Sequence, residues 1–191
     1  MAAVPPSGIR KFFDIASTMK DAISLGVGEP DFVTPWNIRE AAIYSLERGK
    51  THYTSNHGLP ELRELINEYM NMRFGVSYAL NQTFITVGAS EALDLVFRAL
   101  IEPGDEVLIP APSYVSYMPG VTFAGGVPVA MQTREEDQFK LTPDLIESAV
   151  SKKTKAIVVP YPNNPTGATM TKEDYEKITE VIRIHDLVVT T

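Results

Sequence analysis

The chain contains no cysteine. Disulfide staples and thiolate metal sites are therefore excluded, and the absence fits a reducing compartment. The chain also lacks any apolar run near the roughly 18 residues that a membrane-spanning helix needs. Its first residues, MAAVPPSGIRKFFDIAS, place Pro5, Pro6 and several charges where a secretory leader requires an apolar centre. No block of like charge occurs, although the formal net charge is −7. That balance argues against a nucleic-acid surface and leaves room for a local site that binds small acidic or zwitterionic molecules. Together these absences predict a cytoplasmic protein with no membrane span and no nucleic-acid partner.

What is present is a chain of 191 residues, 44% of them hydrophobic, which is enough to bury a sizeable core. Residues 1–35 are punctuated by Pro5, Pro6, Gly8, Gly26, Gly28, Pro30 and Pro35, and read as an arm with one short strand at 22–27. Thr34 and Pro35 resemble an N-cap and first-turn proline opening a helix through Ile38, Ala41, Ala42 and Leu46 to Gly49. A second helix is expected from Pro60 to just before Gly75, with Leu62, Leu65, Ile66, Tyr69 and Met70 at helical spacing.

From Thr83 onward strand-like runs alternate with helical stretches, the sequence form of an α/β domain with a parallel sheet. TFITVG, EVLIPA, VPVAMQ, KAIVVPY and LVVTT are the expected strands. Helices are expected at Ala89–Leu100, after Thr142-Pro143, and from Thr171, where Asp174 three positions on forms a capping box.

Several stretches have residue types suited to chemistry. Gly88, Ala89 and Ser90 form a small-residue turn between a strand and a helix, where free N–H groups and the positive helix end suit a phosphate. Such a turn serves equally as plain turn chemistry. Gly26 and Gly28 fail as a dinucleotide fingerprint, because Asp31 stands at the third glycine position and Pro30 intervenes. Tyr114 and Tyr117 follow the EVLIPA strand at the end where α/β sheets bind ligands, so Tyr114 suits either a stacked flat ring or packing over the sheet end. His52, His57 and His185 are too scattered for a metal site. In PYPNNPTG, a neutral amide at a strand end donates a hydrogen bond without titrating, and Pro165 with Gly167 fixes the turn that presents it.

Six stretches, GVGEPDF, THYTSNHGLPELR, TVGASEAL, PGDEVLIPAPSYVSY, FAGG and PNNPTG, occur in one order and spacing that resembles the class I/II aminotransferases, pyridoxal-phosphate enzymes of fold type I related to aspartate aminotransferase. The resemblance implies a three-layer α/β/α large domain with a mostly parallel sheet, here residues 36–191 and incomplete. Residues 1–35 would be the N-terminal arm and start of the small domain. It also implies pyridoxal 5'-phosphate as cofactor, amino acid and 2-oxo acid substrates, and a homodimer. Gly88, Ala89 and Ser90 would hold the cofactor phosphate, Tyr114 would stack on its ring, and Asn164 would donate to its phenolic oxygen. Gly28 would lie against the substrate α-carboxylate together with Asn164, Tyr53 would reach the phosphate bound by the other subunit, and the segment around Ile9–Phe13 would cover the substrate.

In that family the LVVTT strand leads into an Asp-Glu-Ile-Tyr-like run, and the Schiff-base lysine and two arginines lie further on. None of the lysines at 11, 20, 50, 140, 152, 153, 155, 172 and 177 stands in a matching motif. The chain is therefore expected to be the N-terminal half, truncated before the catalytic lysine and inactive alone, with its catalytic residues unassigned. Two other functions share these motifs. One is a different fold type I reaction, such as a carbon–sulfur lyase or a cyclopropane-forming synthase. The other is a non-catalytic aminotransferase-like binding fragment.

Overall fold

A computed structural model describes residues 31–191 without interruption, together with 4, 12, 15, 16, 18, 19, 23, 28 and 30. The expected strand at 22–27 and the covering segment around Ile9–Phe13 fall, as segments, outside the described residues. The described chain divides into two compact units, one ending at Thr86 and the other starting at Val87.

The first unit contains helices Trp36–Glu47 (α1) and Pro60–Phe74 (α2), followed by a single 3₁₀ turn at Leu80–Gln82. α2 has its proline in the first turn and stops at Gly75, whose left-handed backbone closes the helix. α1 departs from expectation at its start: Pro35, not Thr34, occupies the N-cap, and no side chain caps the helix. Arg63 is buried, donating through Nε to the Thr83 carbonyl at 2.8 Å and through a guanidinium nitrogen to the Leu80 carbonyl. The Ile85 N–H donates to the His57 carbonyl at 3.0 Å. TFITVG, expected as a strand, joins no ladder among the described residues: the Thr83 carbonyl, in extended backbone, accepts from Arg63, and the Ile85 N–H donates to the His57 carbonyl.

The second unit carries strands Glu106–Ala111 (β1), Val127–Gln132 (β2), Thr154–Val158 (β3) and Val188–Thr190 (β4). Its helices are Gly88–Leu100 (α3), Tyr117–Phe123 (α4), Pro143–Ala149 (α5) and Lys172–Ile184 (α6). The strands form one parallel sheet in the order β2-β1-β3-β4. Because alternate residues of a strand face opposite ways, the two central strands supply two cores. Val107 and Ile109 of β1 and Ala156 and Val158 of β3 pack with Phe97 of α3, Ile101 just after it and Val121 of α4. Leu108 and Ile157 pack with Ile146 of α5 and Ile178, Val181 and Ile182 of α6 on the other face. This is the expected three-layer α/β/α arrangement.

α4 is absent from the helices expected from the sequence, and it contains Pro119 and Gly120. Pro119 is tolerated as the third helical residue, where a backbone N–H has no partner within the helix. No helix among the described residues is long and apolar enough to cross a membrane.

The start of α6 matches its sequence signal and yields a pH prediction. The Thr171 hydroxyl accepts from the Asp174 N–H at 3.2 Å, and the Asp174 carboxylate accepts from the Thr171 N–H at 2.8 Å and from Lys140 Nζ at 2.9 Å. The Thr171 backbone bond, followed by Lys140, pushes the Asp174 carboxyl down to about 2. A carboxyl held below its ordinary value stabilises the fold above that ordinary value and ceases to do so as pH falls through the lowered one. Protection of the Thr171 and Asp174 amides against exchange, relative to the intrinsic rate, is therefore expected to fall as pH drops from roughly 4, the ordinary aspartate value, through the lowered value. An Asp174 midpoint measured by NMR at the ordinary value would contradict this.

Candidate functional site

The order of the sheet locates the site. β1 is followed by α4 and leads to β2 on one side, whereas β3 is followed by α6 and leads to β4 on the other. The chain thus leaves the neighbouring strands β1 and β3 in opposite directions, and the helices it enters lie on opposite faces. A crevice opens between the carboxyl ends of two such strands, which is where open α/β sheets bind ligands. Here it is a cleft of about 390 Å³. Tyr114 and Tyr117 line it from the β1 side, Pro160, Tyr161, Pro162 and Asn164 from the β3 side, and Thr191 follows β4.

On the β1 side, a cis peptide joins Ala111 to Pro112 as the chain leaves the strand. The Thr133 N–H and hydroxyl both donate to the Ala111 carbonyl at 3.0 Å, fixing the strand end. The Tyr114 and Tyr117 rings meet edge to face, 5.7 Å apart and inclined by 80°. The Tyr114 hydroxyl lies 3.3 Å from Ser90 Oγ. Hydrogen bonds from Ser116 first, then Ser90, lower the Tyr114 phenol below its usual range, whereas burial raises that of Tyr117.

Ser90 belongs to the first turn of α3, so this contact ties a helix N-terminus to the cleft wall. Gly88 starts that helix at φ +76°, a left-handed backbone, with open space where a side chain would be. Glycine is needed there for conformation rather than for room. The Glu91 carboxylate accepts from the Val87 N–H and so serves one donor at this helix start.

On the β3 side the two asparagines separate into different roles. Asn163 is 4% exposed. Its Nδ2 donates to the Pro112 carbonyl at 3.0 Å and to Thr166 Oγ1 at 2.9 Å. Asn164 is exposed and lines the cleft. Tyr161, half-buried, donates its hydroxyl proton to the Phe139 carbonyl at 3.0 Å, and burial pushes its phenol up to about 12. It is a neutral wall of the cleft. Sequence reasoning missed Tyr161 and Thr191 as lining residues, although both follow strands that end at this edge of the sheet.

The structure therefore brings together Ser90, Tyr114 and Asn164, with Gly88 and Ala89 opening the helix that carries Ser90. Gly28 and Tyr53 belong to the other compact unit, and both are exposed. Of the histidines, His57 packs on Phe84 with ring centres 4.8 Å apart, and His185 Nε2 lies 2.9 Å from Glu147. Among the described residues no group of three histidine or acidic side chains could hold a metal ion.

Comparison with known proteins gives consistent matches. The family described as aminotransferase class I and II matches residues 20–190. YugH of Bacillus subtilis strain 168, provisionally named an aminotransferase, is 53% identical over 187 residues, which are 97% of this chain and 48% of that protein. An aspartate aminotransferase of Pyrococcus abyssi is 48% identical over the same shares of the two chains. Among solved structures, an aspartate aminotransferase from Thermus thermophilus with maleate superposes with a TM-score of 0.91 at 40% identity, covering 98% of this chain and 50% of that one. The chain spans about half the length of the curated relatives it matches.

Proposed function

The chain belongs to the class I and II aminotransferase family, and from that membership we propose that it is the N-terminal part of a pyridoxal-phosphate-dependent enzyme that moves an amino group between an amino acid and a 2-oxo acid. The observation that supports this most is the pairing of Tyr114 and Asn164 on opposite sides of one cleft at the sheet's switch point. The donor set fits the cofactor. Aromatic walls suit a flat ring, a neutral amide suits a ring oxygen that carries negative charge, and the opening turn of α3 suits a phosphate.

Under this reading Gly88, Ala89 and Ser90 hold the phosphate, with Ser90 also fastening Tyr114. Tyr114 stacks on the ring. Asn164 donates to the phenolic oxygen and keeps that oxygen ionised, and its amide does so without a titration of its own. Gly28 and Asn164 lie by the substrate α-carboxylate, and Tyr53 contacts the phosphate bound by the other subunit of a cytoplasmic homodimer. Bound there, pyridoxal phosphate supplies an electron sink for the pair left when the substrate's α-proton is removed. In the complete protein, residues 1–35 are the arm and the start of the small domain and residues 36–191 belong to the large one. The compact units within this chain divide instead at Thr86.

Aspartate is the first amino donor to assay, since it appears in the names of several relatives. With pyridoxal phosphate and a 2-oxo acid, the complete protein is expected to form the exchanged products, and the polypeptide 1–191 is expected to form none. Absence of exchange by the complete protein across a panel of amino donors overturns the reading. Turnover by purified 1–191, free of contaminating enzyme, overturns the expectation that this part is inactive alone.

A further inference from the structure

We propose that Asn163 is a positioning residue that clamps the two rims of the cleft, so that Tyr114 and Asn164 face one ligand at a fixed spacing. One amide nitrogen spans both rims. It donates to the carbonyl of Pro112, two residues before Tyr114, and to the hydroxyl of Thr166, two residues after Asn164. An amide NH₂ has two hydrogens, and each is used. The turn is fastened to the same residue through its backbone: the Asn163 N–H donates to the Ala168 carbonyl at 2.9 Å, and the Gly167 N–H donates to the Asn163 carbonyl at 2.8 Å. Thr166 Oγ1 also accepts from the Ala168 N–H at 3.2 Å.

A packing role alone does not explain an amide at this position. Among the described residues the buried Asn163 Oδ1 has no hydrogen-bond partner, and burying a polar atom without one is unfavourable. Rotating the amide by half a turn would set Oδ1 against the Pro112 carbonyl oxygen, acceptor facing acceptor, and would break the clamp. The unpartnered oxygen is thus the consequence of directing both hydrogens at the rims. Because Asn163 and Asn164 are adjacent, slackening at the first displaces the second.

This inference rests on the reading that Tyr114 and Asn164 hold pyridoxal phosphate. The test uses the complete protein and reads the dissociation constant of pyridoxal phosphate, the pH midpoint of the bound cofactor's visible absorption, and the thermal unfolding midpoint. Asn163→Ala is expected to weaken cofactor binding about tenfold, the loss of about one hydrogen bond's worth of positioning, and to move the absorption midpoint in the same direction as Asn164→Ala. In a Tyr114→Ala/Asn164→Ala background the same substitution is expected to change the dissociation constant less than about twofold, because the clamp acts through those side chains. Thr166→Val removes one arm of the clamp at nearly constant volume and is expected to give a smaller shift of the same sign.

A lowered unfolding midpoint with unchanged affinity and absorption overturns the proposal, as does an equal loss in both backgrounds. If Asn163→Ala fails to fold, Thr166→Val decides, and unchanged affinity and absorption in that variant overturn the clamp. A wild-type protein that binds no pyridoxal phosphate overturns the cofactor reading, and the clamp's role falls with it.

Discussion

Phe97→Ala is expected to destabilise the sheet-containing unit by about 3–5 kcal/mol, the range for truncating a buried aromatic side chain. Phe97 is 1% exposed and belongs to the core that covers β1 and β3 from the α3 side. Its ring also sets the approach of α4, since a Cβ added at Gly120 would sit 3.1 Å from Phe97 Cδ2. The neighbouring helix therefore presents backbone to the ring. Truncation leaves a cavity that Gly120 cannot refill, which puts the cost in the upper part of the range. Leu95 on the same helix is 50% exposed, and Leu95→Ala is expected to cost within about 0.5 kcal/mol. Urea denaturation followed by circular dichroism measures both. A loss below about 1 kcal/mol for Phe97→Ala would mean that α3 does not anchor this core. The first turn of α3 bears Ser90, so the same packing holds one wall of the cleft in place.

β1 and β2 were legible in the sequence because each is a short apolar run bounded by turn residues, Pro103-Gly104-Asp105 before one and Gly125-Gly126 before the other. Burial on both faces of β1 explains why its run is continuous rather than alternating. TFITVG carries the same kind of signal, yet among the described residues it joins no ladder, and its Thr83 carbonyl and Ile85 N–H bond elsewhere. Composition reports a preference for extended backbone, and pairing depends on a neighbour that composition does not contain. Leu62, Leu65 and Tyr69 recur at helical spacing but remain exposed on α2, so their period correctly marks a helix without showing what covers it. Position after strands marked Tyr114 and the amide pair of PYPNNPTG as candidates, and only the family resemblance singled out Asn164. The division of labour between Asn163 and Asn164 was not legible from the residues themselves. It depends on which amide turns toward Pro112 and which toward the cleft, and only the folded arrangement of both rims sets that.

Under the proposed reading, that division makes Asn164 the residue whose loss is expected to affect chemistry without affecting the fold. In the complete protein Asn164→Ala is then expected to lower kcat/KM by about 10²–10³-fold, the usual effect of removing one donor aimed at a negatively charged oxygen. Because Asn164 is exposed and Asn163 holds the turn, unfolding free energy is expected to stay within about 0.5 kcal/mol of wild type. Asn164→Asp sharpens the test. It keeps the shape of the side chain but replaces the donor with a carboxylate, which at neutral pH sets negative charge against the cofactor's phenolic oxygen. Activity is therefore expected to fall in the order asparagine, alanine, aspartate. Shape alone would place aspartate above alanine. The bound cofactor gives a second readout: losing the donor raises the pH at which its phenolic oxygen ionises, and a nearby carboxylate raises that pH further. Asn164→Asp with activity and absorption like wild type would remove Asn164 from the site. Together with an unchanged Asn163→Ala, it would leave the PNNPTG turn with a structural role only.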